Sequence, residues 1–221
     1  MRISKWVAAA VISMSVSGVA MAEDEAAPRE GCVEIPCFDT SGRVQELEAT
    51  WKSGEVLQDK LIQMEMDVIS INTEMKTALG VAEDASMDQA IADLMETAGD
   101  KLTVSMESGA MPTFSVADDA PENVKAFAAA CTAATEKLQK VTADVKSLEE
   151  DITKMGADAT EAAGSLNAKT MKANGLKAKD LKAELSIAKN NKAAAEGLKD
   201  RSMKVVTETT NLTTMLAGLA G

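Results

Sequence analysis

Apolar residues recur every three or four positions over most of the chain, a spacing that predicts helices packed along continuous seams. The longest run is Val124, Phe127, Cys131, Ala134, Leu138, Val141, Val145, Leu148, Ile152 and Met155, continued by Ala159, Ala162 and Leu166. Every seam position is apolar, and at 1.5 Å per residue such a helix is roughly 65 Å long. Asp119 and Pro121, with Glu122, mark its start. An earlier helix is expected from about residue 43 to 79, with Leu57, Leu61, Met64, Val68, Ile71, Met75 and Ala78 as its seam. Val44, Leu47, Trp51 and Gly54 extend that seam through a three-residue slip at 54–57, which would locally overwind the helix. Gly80 is a natural stop. A shorter amphipathic helix follows, with Ser86 and Gln89 at capping-box spacing and Met87, Ala90, Ile91, Leu94, Met95 and Ala98 on one face.

Between these helices the period changes from helical to two. Leu102, Val104 and Met106 alternate with polar residues, Glu107-Ser108-Gly109-Ala110 can turn, and Phe114 and Val116 alternate again. This predicts a β-hairpin near residues 101–117, with Pro112 confining its strand to an edge. An isolated hairpin is marginal in water, so it must pack on something. The last helical stretch covers roughly 168–219, with Gly164-Ser165 and Asn174-Gly175 as rival turn sites. Its later seam is Leu198, Ser202, Val205, Thr209, Leu212, Leu216 and Leu219. The Lys- and Ala-rich part ahead of that seam has a poorer apolar stripe and is expected at the bundle surface.

The N-terminus has a different character. Arg2 and Lys5, an apolar run over residues 6–20, and Ala20-Met21-Ala22 followed by Glu23 read as a secretory signal cleaved between residues 22 and 23. The apolar run is short for a membrane span, which needs about 20 residues. Cys32 follows Arg29-Glu30-Gly31 instead of an apolar run, which argues against a lipoprotein. Export into a bacterial periplasm, or beyond to the surface or medium, is therefore expected. Residues 23–42 look irregular and hold Cys32 and Cys37. In an oxidising compartment that spacing favours a local disulfide. The chain then divides into a signal peptide (1–22), an irregular stapled segment (23–42) and one elongated helical domain (43–221). The fold class expected is mostly α, an elongated antiparallel bundle of coiled-coil-like helices with one short hairpin insertion.

Composition fits this picture and removes several function classes. Aromatic residues make up 2% of the chain and Met is abundant at 14 residues, so the core must be Ala, Leu, Val, Ile and Met, which suits helix-on-helix packing. The net charge is −12, and an exported chain this acidic is a poor partner for nucleic acid. Residues 23–100 carry 19 acids against 5 bases, while 169–204 carry 10 bases against 4 acids, so the two regions are expected side by side with complementary charge.

Candidate chemistry is thin. The chain has no His, which removes the usual general base and the Ser-His and Cys-His nucleophile pairs. A metal at Cys32 and Cys37 would lack two further ligands, and a redox-active pair would have C-x-x-C spacing. Cys131, inside the long seam, reads as a buried free thiol. Glu149-Glu150-Asp151 falls between the seam residues Leu148 and Ile152 and reads as a solvated face. Asp84-Ala85-Ser86-Met87-Asp88 imitates a calcium loop but places Gln89 and Met95 where Gly and Glu are needed. No cofactor is expected, and no enzyme. The function expected is a structural or protein-interaction role in the cell envelope, with envelope proteins or further copies of the chain as partners. Two alternatives stand beside it. Over about 101–219 the layout of long helices around a modestly apolar hairpin resembles that of α-helical pore-forming toxins, which implies membrane contact through Leu102, Val104, Met106, Phe114 and Val116. Met-rich helices would also suit a periplasmic chaperone or carrier for apolar cargo.

Overall fold

The computed structural model describes Cys32 and residues 35–82, 84–107 and 110–220. The expected secretory signal (1–22), residues 23–31 and the middle of the hairpin turn (108 and 109) lie outside the described residues.

Three long helices carry the fold: α1 (Gln45–Leu79), α3 (Glu122–Ser165) and α5 (Leu181–Gly218). Each runs antiparallel to the next, and all three pack on one another. Glu74 on α1 meets Lys137 on α3 at 2.6 Å, and Arg201 on α5 pairs with Glu65 on α1. The fold is mostly α, an elongated antiparallel bundle with one two-stranded hairpin. At 44 residues α3 is about 66 Å long. Its whole seam from Val124 to Leu166 is buried between α1 and α5.

The helix ends follow local chemistry in some places and tertiary contacts in others. Gly80 adopts φ 68°, and the Val81 N–H bonds back to the Lys76 carbonyl, closing α1 with a left-handed cap. The start of α1 has no side-chain cap of its own. Its Gln45 N–H is taken by Asn174 Oδ1 at 3.0 Å, from a turn 129 residues away in sequence. The helix begins at Gln45 and not at Arg43, because Arg43 and Val44 belong to an extended segment held against α5.

The short helix α2 (Asp88–Ala98) buries Met87, Ile91, Leu94 and Ala98 at one end of the bundle. The expected capping box does not form. Ser86 Oγ accepts the Asp88 N–H at 3.2 Å, but Gln89 turns forward to Asp93 instead of back to the cap. A helical turn of 3₁₀ geometry leads into β1 (Leu102–Ser105), which pairs with β2 (Thr113–Val116) in the register Leu102↔Val116 and Val104↔Phe114. Met106 lies past the strand and is exposed. Lys101 closes the hairpin base through Asp119 at 2.8 Å. With its carboxylate held there, Asp119 is not the cap of α3, which starts at Glu122 behind Pro121.

Both rival turn sites before the last helix are used. The chain leaves α3 at Ser165, and Asn167 caps a six-residue helix, α4 (Ala168–Ala173), by accepting the Lys169 and Thr170 N–H groups. Gly175 at φ 69° ends α4, and a 3₁₀ turn leads into α5. The single stretch expected over 168–219 is therefore broken in two.

Candidate functional site

The N-terminal half of α5 departs most from the sequence expectation. Its Lys- and Ala-rich stretch does not simply lie at the surface. Glu184, Ala188, Asn191, Ala194 and Ala195 are buried, and Glu184 and Asn191 meet an extended strap, residues 35–44, which lies in the groove between α1 and α5 and runs antiparallel to both.

The groove grips the strap in two ways. Amide side chains read its backbone. Gln58, fully buried on α1, accepts the Phe38 N–H at 3.0 Å and donates to the Pro36 carbonyl at 2.9 Å. Asn190 donates to the Cys37 carbonyl at 2.8 Å. Asn191, also fully buried, accepts the Asp39 N–H at 2.6 Å and donates to the Asp39 carbonyl at 2.8 Å. The Glu184 carboxylate accepts the Arg43 N–H at 3.1 Å, and its charge is met by the Arg43 guanidinium at 3.7 Å. Buried polar groups are costly unless paired, so these side chains suit the floor of an occupied groove.

Two glycines then admit the strap's side chains. A Cβ on Gly54 would stand 2.2 Å from the Phe38 ring, and one on Gly197 would stand 2.3 Å from Ile35 Cγ2. Both glycines sit within helices, where glycine costs about 1 kcal/mol against alanine. The close approach of strap to helix accounts for them. It also accounts for the seam slip at 54–57, since Leu57 and Gln58 are both buried there, Gln58 beneath the strap.

Cys32 and Cys37 stand at disulfide distance, with Cα atoms 5.4 Å apart, at the head of the strap. Cys131 is far from them in sequence and buried in the α3 seam as a free thiol. Burial pushes that thiol up to about 12, so it is protonated at neutral pH and is not a nucleophile. The other seam residues, Val124, Phe127, Ala134, Leu138, Val141, Val145, Leu148, Ile152 and Met155, are all buried side chains of the core. In the hairpin, Leu102 is buried and Val104, Phe114 and Val116 are half-buried against the same core, while Thr103, Ser105, Thr113 and Ser115 face outward. Ser105 and Thr113 join their hydroxyls at 2.8 Å across that outer face.

Among the described residues no cluster of three or more Cys, Asp or Glu is gathered to hold a metal ion. Glu149, Glu150 and Asp151 are exposed on α3. No helix of the described residues is long and apolar enough to cross a membrane. An open groove of about 710 Å³ lies between α3 and α5, where Ile152, Gly156, Ala195, Met203 and Val206 line the walls.

Heptad spacing could not have found the strap groove, because Gln58, Asn191 and Glu184 look like ordinary polar helix residues. The signal available was negative: Gly54 and Gly197 are helix-weakening residues inside otherwise helical runs. Comparison of the chain with protein families, curated proteins and solved structures finds no match.

Proposed function

We propose that this chain is a non-enzymatic, exported envelope protein that works as a rigid helical spacer and binding surface for other proteins. The observation carrying this reading is the use made of the buried side chains. The apolar seams of α1, α3 and α5 are spent on one another, and the buried amides are spent on the strap. What is left outward is a long rod with solvated charge and exposed apolar residues such as Met66, Ile69 and Met203 along its sides. Such a surface suits contact with protein partners or further copies along its length. Export rests on the charged start, apolar run and Ala20-Met21-Ala22 at the N-terminus.

The toxin-like alternative is less well supported. The apolar face of the hairpin is turned onto α3 and the core, and its outward face is Ser and Thr. Lipid entry would first require that face to be pulled from the bundle. The test is flotation of the chain, purified after export, with anionic and neutral liposomes holding a self-quenched dye. Protein left at the bottom with the dye retained is the expected result. Co-flotation with dye release would overturn the reading and move attention to residues 101–117.

A further inference from the structure

The strap is held at two places that are structurally independent. Residues 39–44 are tied to α5 by the two-way Asp39–Asn191 pair and by Arg43 on Glu184, with no help from the cysteines. Residues 35–37 are tied by the Ile35 side chain in the Gly197 notch, the Pro36 carbonyl on Gln58 and the Cys37 carbonyl on Asn190. The Ile35 and Pro36 contacts fall inside the ring that the Cys32–Cys37 bridge closes, and the Cys37 carbonyl on Asn190 and the Phe38 N–H on Gln58 come directly after it. The bridge thus sets the backbone shape that the groove reads. Cys32 and Cys37 are both only half-buried, within reach of a small thiol, whereas Cys131 is sealed in the core.

We propose that the Cys32–Cys37 disulfide is a redox latch: closed, it keeps residues 35–37 docked in the α1–α5 groove, and opened by a dithiol it releases them and uncovers Gly197, Gln58 and Asn190. A thiolate of the dithiol attacks one sulfur of the bridge, the S–S bond breaks, and that cysteine's partner leaves as a thiolate. The second sulfur of the dithiol then displaces the remaining cysteine. Two electrons and two protons pass to Cys32 and Cys37, and the dithiol departs as a disulfide. Closing a loop this short restricts the undocked chain by an amount worth on the order of 30-fold in an equilibrium constant, so reduction weakens docking by about that factor. The Asp39–Asn191 pair then acts as the hinge, and the helices stay as they are.

Amide hydrogen exchange, resolved by residue on the chain as purified after export, tests this with dithiothreitol as the reductant. Reduction is expected to lower protection of the Phe38 amide by about 30-fold while leaving the Asp39 amide and the amides of α3 unchanged. A Cys32→Ser/Cys37→Ser chain should behave as the reduced form with or without the dithiol. Gly197→Ala supplies a second handle, since it favours the helix yet displaces Ile35. It should lower Phe38 protection with the disulfide still closed. Phe38 protection within threefold of the oxidised value in both the reduced and the serine-substituted chains overturns the proposal. So does loss of protection throughout α3, which would make the bridge a staple of the whole fold and not a local latch.

Discussion

Single side chains show how the same residue type takes its meaning from where the bundle puts it. Cys131 sits at a seam position with zero exposure, and burial raises its thiol from an ordinary 9.0 to about 12. Because the folded-state value lies above the unfolded one, the stability tied to the protonated thiol is complete below about pH 9. It is lost as the pH rises towards 12 and the unfolded chain ionises first. By pH 10.5 the loss from this group is about 2 kcal/mol. Urea denaturation should therefore show a steeper fall between pH 8 and 10.5 for the native chain than for Cys131→Ala. Parallel slopes in the two chains would mean that the thiol ionises freely in the fold.

At the scale of elements, the long helices are written in the sequence and their ends are only partly so. Gly80 and Gly175 both take the left-handed backbone that a closing helix needs, and glycine is the residue that adopts it without strain. The start of α1 has no such local device and borrows Asn174. That side chain accepts the Gln45 N–H and donates to Glu46 at 2.7 Å, and the second bond holds the Glu46 carboxyl below its ordinary value. Asn174→Ala should cost about 1 kcal/mol through the lost cap on Gln45. The Glu46 carboxyl should rise towards the usual glutamate range. A chemical denaturation curve together with an NMR titration of Glu46 reads both, and an unmoved Glu46 would rule Asn174 out as its partner. The hairpin was legible from its period-two alternation. Met106, which continues that alternation, lies beyond the paired residues because the ladder stops at Ser105↔Thr113.

For the whole molecule, the measurable consequence is shape. A bundle as long as α3 should give a radius of gyration of roughly 22 Å or more in small-angle scattering, against about 16 Å for a compact domain of similar length. A value near the compact figure would mean that the helices fold back on themselves in solution. The charge asymmetry along the chain also resolves at this scale. Acidic α1 and basic α5 lie side by side, and Arg201, buried on α5, pairs across them with Glu65. The lysines at 169, 172, 177, 179 and 182 are exposed around the α4 turn, where they are solvated and not matched to α1.

The sequence by itself determined the helices, their seams and the hairpin. Periodicity is a local property, and burying a continuous apolar stripe leaves few arrangements open to three long helices. The tertiary structure alone decided where the strap lies and what Gln58, Asn191, Glu184, Gly54 and Gly197 are for. Those residues act through partners from 16 to 162 positions away, and a polar or glycine residue in a helical run carries no local mark of the backbone that will be laid against it. Only the meeting of α1 and α5 makes the groove, and only the groove gives these five residues a common purpose.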